Sequence, residues 1–425
     1  MKTREEFLKM IEAEDVEFIR LQFTDVWGNL KNIAVTPGQL ERVLDKKFNF
    51  DGAALFDDKV SFDMDLYLDA DLDSFVILPW RPQQGKVGKL ICDVCLSDGT
   101  PFSLSPRTIL KKTIMEAKAE GYTFLVNPEC EFFLFHTDEN GMPTAVSHER
   151  AGYLDVGPAD FGENARRDMV LALEDMGFEV ESSHHEKAPA QHEIDFAARE
   201  ALDSADAVVT FRFAVRSIAK RFGLYATFMP KPQTGCAGSG MHLNIKLFKG
   251  MENLFAEKDG EVSDTAKYFM GGIMAHAQGM AAITNPIVNS YKRICAGFEA
   301  PEEINWSVRG EKSLIKYHGA GPEKMVELRF PDSAANPYLA TAVVIAAGID
   351  GIKNKIDPDL FMKKNRKKLP GDINSAVDFM LKDKLVCDVL GDEFVKIYSS
   401  VKRNDWKEYM KQVSDWEINE YLVKM

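Results

Sequence analysis

Apolar, strand-like runs that carry acidic side chains constrain the fold of this chain more than any other feature. In the run NPECEFFLF, Glu129 and Glu131 are two residues apart. Residues i and i+2 of a strand lie on the same face, about 6–7 Å apart. Two carboxylates on one face of an apolar strand repel each other unless a cation lies between them. Taken alone, the pair is also compatible with a strand face that is simply solvated.

Three further segments hold residues of the same chemical kind. Glu186 and Glu193 stand in HHEKAPAQHEID. His242 follows two glycines in GSGMHLNI, and Glu327 shares a strand face with Arg329 in MVELRF. Each segment alone has an ordinary explanation: a solvated charge cluster, a structural histidine or a surface ion pair.

Together these side chains form the ligand set of hard divalent cations. Five carboxylates and one imidazole suit two Mg²⁺ or Mn²⁺ ions, and they do not suit zinc in a thiolate cage. Two metal ions with an arginine nearby recur at sites of phosphoryl transfer. The predicted ligands are Glu129, Glu131, Glu186, Glu193, His242 and Glu327.

Net charge limits the partners of the chain. Its 425 residues include 52 Lys and Arg against 66 Asp and Glu, a formal net charge of −14. This excess disfavours non-specific binding to nucleic acid or to an anionic membrane, and an anionic ligand then needs local cations such as metal ions. We therefore expect small-molecule ligands, with no nucleic-acid or membrane partner.

Cysteine content and hydropathy favour a reducing, cytoplasmic location. Six cysteines do not make a disulfide framework here, and Cys92 and Cys95 fit a strand-like run better than a metal site. The N-terminal segment has the pattern of a charged amphipathic helix and not of a signal peptide. The longest apolar run, YLATAVVIAAGIDGI, is too short to span a bilayer and predicts a buried helix.

The order of the predicted elements indicates an α+β fold with two domains. A helix is predicted over residues 1–15, and short strand-like runs punctuated by Gly and Pro follow it. Pro106 then begins an amphipathic helix, with Ser105 at its N-cap position. Beyond it, long helices alternate with strands that form antiparallel-looking hairpins. We predict a sheet-rich domain over residues 1–102 and a catalytic domain over residues 103–425.

Five segments resemble the glutamine synthetase family, type I. KPQTGCAGSGMH resembles a family segment that ends in GSGMH, and NSYKR followed by GFEAP resembles the flexible flap. ELRFPDSAANPYLA and the stretch from YLDVGPADFGENARRD to HEIDF match further blocks, and NFDGAAL resembles the DGSSI loop. The resemblance extends over almost the whole chain. Because no segment resembles the tyrosine-bearing NLY segment of adenylylated members, the chain resembles the short form.

The resemblance implies a fold and an assembly. The fold would combine a small N-terminal β-grasp-like domain with a large catalytic domain, whose curved antiparallel sheet is flanked by helices and forms a funnel-shaped site. The family assembles as two stacked hexameric rings, a homo-dodecamer. Each active site lies between adjacent subunits, and the small domain of one chain would contribute the DGSSI-type loop to its neighbour.

The resemblance also implies how the metal ligands are divided. One ion would be held by Glu131, Glu186 and Glu193. The second would be held by Glu129, His242 and Glu327.

Further residues match substrate contacts of the family. Asp51 matches the acid that accepts a proton from ammonium, and Glu299 matches the flap acid that closes the site. Arg293 matches a contact to the glutamate carboxylate, and Arg329 a contact to the transferred phosphoryl group. By the same resemblance, the remaining contacts would be Gly238 for the substrate and Asn244 and Lys316 for the nucleotide.

The implied activity is the ATP-dependent ligation of L-glutamate and ammonia through γ-glutamyl phosphate. A carboxylate is a poor acyl donor because its leaving group would be oxide, and ATP, as a substrate, converts it to an acyl phosphate. Metal ions and Arg329 would offset the repulsion between the two anions. Asp51 can bind ammonium and take its proton, and a closed flap keeps water from the acyl phosphate.

Several positions depart from the family pattern among the nucleotide and substrate contacts. Glu311 stands where a phosphate-binding arginine is expected, which reverses the charge beside ATP. Lys316 replaces a second arginine and keeps the charge without the bidentate fork. The other departures are Ala53, Ala54, Ala198, Ala237, Lys246 and Met325, the last beside Lys324.

Three functions are therefore compatible with the sequence. The chain could be a working glutamine synthetase with compensating cations, or a related ligase for a different amine or acid, such as a γ-glutamyl-amine ligase. It could also be a non-catalytic, ring-forming paralogue that keeps its metals for structure. The presence of both Asp51 and Glu299 favours an enzyme, because a silenced paralogue has no need of two proton-handling acids.

Overall fold

The chain folds into a small N-terminal sheet domain and a larger domain of two sheets covered by helices. The computed structural model describes residues 2–57, 59–81, 84–258, 260–295, 297–310, 312–364, 367–423 and 425. Glu311, the charge reversal noted in the sequence, lies outside the described residues.

One mixed, five-stranded sheet forms the N-terminal domain. The strand order is β2-β1-β5-β4-β3, in which β1 and β5 are parallel and the other neighbours are antiparallel. The helix predicted over residues 1–15 is confirmed as α1, which begins in a capping box between Thr3 and Glu6. The elements are α1 (Arg4–Ala13), β1 (Val16–Thr24), β2 (Leu30–Val35), α2 (Leu40–Leu44), β3 (Asn49–Asp51), β4 (Asp65–Ile77) and β5 (Lys86–Cys95).

The central strands of this sheet are buried in the core. In β1, Ile19, Leu21 and Phe23 share one buried face, and the opposite face is also buried in the last part of the strand. In β5, Cys92 and Cys95 are free and buried, so the strand interpretation of the CxxC pair is confirmed. Burial raises the pKa of the Cys92 thiol, which makes this thiol a poor nucleophile or metal ligand.

Eleven further helices and eleven further strands follow within the described residues. The helices are α3 (Pro106–Ala119), α4 (Glu163–Asp175), α5 (Ala201–Arg221), α6 (Asp264–Thr284), α7 (Val288–Ile294), α8 (Pro337–Asn354), α9 (Pro358–Lys364), α10 (Ile373–Lys382), α11 (Lys384–Leu390), α12 (Asp392–Tyr409) and α13 (Asp415–Tyr421). The strands are β6 (Thr123–Cys130), β7 (Phe132–His136), β8 (Val180–His185), β9 (Gln191–Phe196), β10 (Arg199–Glu200), β11 (Leu224–Thr227), β12 (Met241–Lys249), β13 (Glu252–Asn253), β14 (Trp306–Ser307), β15 (Ile315–His318) and β16 (Met325–Leu328).

Within the described residues, the strands of the larger domain form two hydrogen-bonded sheets. Seven strands form the order β10-β6-β12-β16-β15-β14 with β13 beside β12, and four form the order β11-β7-β9-β8. The long apolar run around Glu131 breaks there into β6 and β7, and each half joins a different sheet. Pairing is antiparallel except between β14 and β15, which run parallel. The α+β class is confirmed, and Glu131 lies at the junction of the sheets.

Helices bury the outer face of the larger domain. The apolar run beginning at Tyr338 forms the buried helix α8, as predicted, and Asn336 caps it by accepting a hydrogen bond from Tyr338 N at 3.1 Å. Ser105 occupies the N-cap position of α3, but its side chain makes no capping hydrogen bond. Among the described helices, none combines the length and the apolar character needed to cross a membrane.

A buried arginine fixes the two domains to each other. Arg107, on α3, donates to Asp93 at 2.7 Å and to Asp71 at 2.8 Å, both on the N-terminal sheet. It also makes a two-pronged pair with Asp206 of α5, at 3.0 and 2.8 Å. Such bidentate, charge-assisted hydrogen bonds are geometrically specific, so they set the position of the small domain on the large one.

Candidate functional site

Three neighbouring strands bring together the first group of predicted ligands. In the antiparallel register, His242 of β12 lies opposite Glu129 of β6, and Glu327 stands on the next strand, β16. His242 Nδ1 is 3.1 Å from Glu129 Oε2 and 3.4 Å from Glu327 Oε1. The three side chains can place one ligand atom each around a single ion. This group matches the second metal set implied by the sequence.

A hairpin supplies the second group. The sequence segment HHEKAPAQHEID folds into β8 and β9 with a turn between them. His184 pairs across the hairpin with Glu193, and its Nε2 lies 3.0 Å from Glu186 Oε1 and 3.9 Å from Glu193 Oε2. Sequence reasoning missed His184. A turn assigned at the proline would have revealed it, because side chains directly opposite in a hairpin share a face.

Glu131 lies between the two groups. Its Oε1 is 3.9 Å from His242 Nε2, while its Oε2 accepts hydrogen bonds from Gln191 Nε2 at 2.6 Å and from Gly240 N at 2.9 Å. The family resemblance groups Glu131 with Glu186 and Glu193. In the structure, His184 also lies close to Glu186 and Glu193, and the Glu131 carboxylate lies near both ligand groups.

Electrostatic crowding distinguishes these carboxylates from surface acids. Burial, reinforced by neighbouring acids, raises the pKa of Glu131 and raises that of Glu193 well above its usual range. Burial also acts to raise the pKa of Glu129, but His242 and the Asn244 amide outweigh it and lower that pKa to about 2. For Glu186, the hydrogen bond from His184 likewise outweighs burial and lowers the pKa. Divalent cations would relieve this crowding, so the donor set fits Mg²⁺ or Mn²⁺.

Two buried arginines flank the acid cluster. Arg329 Nη1 donates to Glu327 Oε1 at 2.7 Å. Arg293 donates from Nη1 to the carbonyl of Phe330 and from Nη2 to that of Arg329, both at 3.1 Å. The Nε atoms of both arginines are buried and lack a hydrogen-bond partner within the described residues. Each is therefore a free donor for an anionic group beside the cluster.

A glycine-containing loop reaches the cavity where no side chain fits. A Cβ on Gly238 would lie 2.1 Å from the carbonyl oxygen of Pro230, and one on Gly240 would lie 2.7 Å from Arg293 Nη2 and 3.0 Å from His242 Nε2. The Gly238 carbonyl accepts a weak hydrogen bond from Gln191 Nε2 at 3.3 Å. These contacts explain why glycine is needed at both positions.

A short segment, residues 297–300, covers the cavity; we call it the flap segment. Phe298, Glu299 and Ala300 line the cavity opposite Glu131, Glu186 and the two arginines. The space left beneath them is about 20 Å³, enough for about one water molecule. Glu299 forms an ion pair with Lys187, in the hairpin turn that follows Glu186. The flap segment therefore lies against the hairpin that carries the second ligand group.

The predicted nucleotide contacts lie at the edge of the first ligand group. The Asn244 side chain is buried, donates to Glu129 Oε1 at 2.7 Å and pairs with His318 Nε2 at 2.9 Å. Lys316 Nζ is 3.5 Å from Glu327 Oε2. His318 also lies 3.4 Å from Glu327 Oε2, a neighbour that sequence reasoning missed.

Two lysines at or next to departures from the family pattern form ion pairs away from the acid cluster. Lys246 forms an ion pair with Glu323, and Lys324 pairs with Glu257 at 2.8 Å while its Nζ lies 4.9 Å from the Tyr317 ring. Neither contact involves the acid cluster. Of the other departures, Ala237 lines the cavity, whereas Ala53, Ala54, Ala198 and Met325 are half-buried and are not among its lining residues.

Asp51 is the predicted site residue that the structure keeps apart from the rest. It ends β3 on the N-terminal sheet, is exposed, and accepts a hydrogen bond from Ala53 N at 2.9 Å. It is not one of the residues that line the flap-covered cavity.

A buried hydrogen-bonded network supports the hairpin from behind. His185 pairs with the carbonyl of Glu186 at 2.6 Å and with Glu149 Oε1 at 2.5 Å. Arg166 Nη1 donates to Asp160 Oδ2 at 2.7 Å and lies 2.9 Å from His192 Nδ1. The two acids and two histidines lie close enough to suggest a metal site, but the Arg166 guanidinium already contacts one acid and one histidine of this group. This network is therefore a scaffold.

Comparison with known proteins gives the same assignment over the full chain. A family model described as "Glutamine synthetase, beta-Grasp domain" matches residues 15–97, and one described as "Glutamine synthetase, catalytic domain" matches residues 103–421. A glutamine synthetase of Clostridium saccharobutylicum is 48% identical over 438 aligned residues, covering 99% of both chains. One of Staphylococcus epidermidis is 44% identical over 437, covering 99% of this chain and 98% of the relative.

Solved structures give the same result at the level of the fold. A structure described as "GmaS/ADP complex-Conformation 1" superposes with a TM-score of 0.88 at 30% identity, covering 98% of this chain and 99% of that one. "Apo GmaS without ligand" superposes with a TM-score of 0.87 at 31% identity and the same coverage.

Proposed function

The chain belongs to the glutamine synthetase family, and we propose that it joins L-glutamate and ammonia in an ATP-dependent reaction through γ-glutamyl phosphate. The observation that carries this proposal is the pair of hard-ligand groups with Glu131 between them, beside Arg293 and Arg329 in a covered cavity. This arrangement suits the meeting of two anions, a carboxylate and a nucleoside triphosphate.

Two Mg²⁺ or Mn²⁺ ions fit the donor groups. When bound, they would neutralise phosphate charge and polarise the phosphoryl group in transfer. The hydrogen bond from His184 would hold Glu186 in its ligating orientation. One ion would be held by Glu129, His242 and Glu327, and the other by Glu131, Glu186 and Glu193.

The arginines and the glycine loop would orient the substrates. Arg329 Nε is a free buried donor beside Glu327, suited to an oxygen of the transferred phosphoryl group. Arg293 Nε is the corresponding donor for the glutamate carboxylate. Gly238 would let the glutamate approach the backbone without a side chain in the way. Lys316 would place a positive charge beside the nucleotide, and Asn244 would fix Glu129 at the nucleotide end.

The proposed reaction also needs a group that accepts the proton of ammonium. Ammonium becomes a nucleophile only after it loses a proton, and Asp51 is our candidate acceptor. Asp51 is exposed on the small domain and does not line its own chain's cavity, which supports a site completed by a neighbouring subunit. We therefore propose a dodecamer of two hexameric rings, with a small domain over residues 1–102, a catalytic domain over residues 103–425, and a cytoplasmic location.

The remaining alternatives have weaker support. The curated relatives quoted above are named glutamine synthetase, which favours ammonia over a larger amine. A non-catalytic paralogue would not need free arginine donors or the flap acid Glu299 beside intact ligand groups.

An amine screen tests the proposal directly. With ATP, glutamate, ammonia and Mg²⁺, we expect equal amounts of ADP, phosphate and glutamine. Methylamine and a polyamine serve as competing acceptors, and ATP binding without turnover is measured as a control. Product formation with methylamine but not with ammonia would change the assigned amine, and intact nucleotide binding without any ligation would favour the non-catalytic alternative.

A further inference from the structure

Two lysines hold the flap segment from opposite sides. Lys187, in the turn between β8 and β9, forms an ion pair with Glu299. Lys231, at the start of the glycine-containing loop, places its Nζ 4.4 Å from the centre of the Phe298 ring, within the range of a cation–π contact. The flap segment is therefore fastened to both loops that surround the acid cluster.

Lys187 is itself fixed to the metal-binding hairpin. The backbone N–H of Lys187 donates to Glu186 Oε2 at 2.9 Å. The lysine that pairs with Glu299 is therefore hydrogen-bonded to a proposed metal ligand. Its Nζ lies 5.5 Å from the centre of the Tyr153 ring, which meets His184 edge-on with ring centres 5.6 Å apart. Movement of Lys187 away from the cluster would break contacts of the hairpin.

The contact between Lys187 and Glu299 is also able to open. About a third of each side chain is exposed, 37% for Lys187 and 33% for Glu299, so water competes for both charges. Gly297, at the start of the flap segment, has φ of +75°, a left-handed conformation that glycine adopts without strain. The space beneath the flap segment is about 20 Å³, room for about one water molecule, so the proposed binding of glutamate there would require the flap segment to move.

We propose that Lys187 is a positioning residue that latches the flap segment shut by holding the Glu299 carboxylate over the acid cluster. This inference rests on the proposed function, because a closed cover matters most while an acyl phosphate exists. If water reaches that intermediate, it displaces phosphate from the acyl carbon and regenerates glutamate, so that the net reaction is ATP and water giving ADP and phosphate. A latched flap excludes this water and reserves the intermediate for ammonia.

Lys187→Met and Lys187→Arg test the latch, with Lys368→Met as the matched control. Lys368 forms a comparable ion pair with Glu302 at 3.0 Å, just beyond the flap segment and away from its acid. In Lys187→Met we expect hydrogen exchange of the flap amides to quicken about twofold to fivefold, the range expected for a partly exposed ion pair. The ratio of ADP to glutamine should rise to the same extent, whereas Lys187→Arg and Lys368→Met should resemble the parent chain.

Two outcomes would overturn the latch. One is unchanged flap exchange and an unchanged ratio of ADP to glutamine in Lys187→Met, and the other is an equal change in Lys368→Met. The exchange measurement needs no turnover, so it tests the latch even if the chain fails to form glutamine. A failure of the proposed function is thus seen in the amine screen of the parent chain, separately from a failure of the latch.

Discussion

The floor and the cover of the cavity are built in different ways. The floor consists of side chains on β6, β8, β9, β12 and β16, or at their ends, where strand register and buried hydrogen bonds fix each group. The cover is the flap segment, held by Lys187 and Lys231 through contacts at partly exposed side chains. The comparison teaches that most of the ligand geometry follows from strand pairing, whereas closure depends on a few weak contacts.

Removing one ligand from the floor should have the largest effect. In Glu193→Gln, we expect the affinity for Mn²⁺ and the rate of glutamine formation each to fall by more than about a hundredfold, because even outer contacts of metal ligands are worth 10–100-fold. Titration of bound Mn²⁺ measures the first quantity. Glu181→Gln is the control, since Glu181 is exposed on the same hairpin. Comparable losses in both variants would mean that the hairpin, and not the ligand, is at fault.

The glycine-containing loop, which lies between floor and cover, should respond next. In Gly238→Ala the new Cβ would lie 2.1 Å from the carbonyl oxygen of Pro230, so the loop must shift. A displacement of about 1 Å near reacting groups can cost about a hundredfold, and we expect a loss of about 10- to 100-fold in kcat/KM for glutamate. Gly371→Ala is the control, because nothing lies within 4 Å of the added atom. A fully active Gly238→Ala chain would place the glutamate elsewhere.

A charge at the nucleotide end should have a smaller effect. Lys316 lies beside Glu327, and Lys316→Met should raise KM for ATP about fivefold to tenfold with little change in KM for glutamate. Lys246→Met is the control. Because Lys246 pairs with Glu323 and not with the acid cluster, this substitution should leave KM for ATP unchanged. If instead Lys246→Met weakens ATP, the assignment of the nucleotide end is wrong.

Outside both regions, a half-buried histidine should affect stability alone. His276 Nδ1 is 2.8 Å from Asp383 and Nε2 is 3.3 Å from Asp350. Burial acts to lower the pKa of His276, but the hydrogen bonds and charges of these two carboxylates outweigh it and raise the pKa. The resulting stabilisation is complete below the unfolded pKa of about 6.5 and is lost as the pH rises through the higher folded pKa.

Urea unfolding of His276→Asn measures this contribution. The variant should be less stable by about 1.5 kcal/mol at pH 5.5, a value typical of hydrogen bonds to charged groups, and by less at pH 9. Its kcat should stay unchanged. An equal loss at both pH values would show that packing, not charge, explains the effect.

Site residues that share a local sequence pattern could be predicted, and those joined only by folding could not. Glu129 and Glu131 were visible because acids in an apolar run are costly without a cation. His184 was missed because it meets Glu193 only across the turn between β8 and β9. The division of the ligands between two ions stays a prediction, since Glu131 lies close to both groups.

By itself, the sequence determined the α+β class, through residue type and periodicity, and the family, through motifs that stand in continuous segments of the chain. Only the tertiary structure decided that the strand through Glu131 changes sheets, that His184 joins the acids, and that Lys187 holds Glu299. These contacts join residues distant in sequence or aligned across a turn. Their geometry follows from strand pairing and packing, which a linear pattern does not specify.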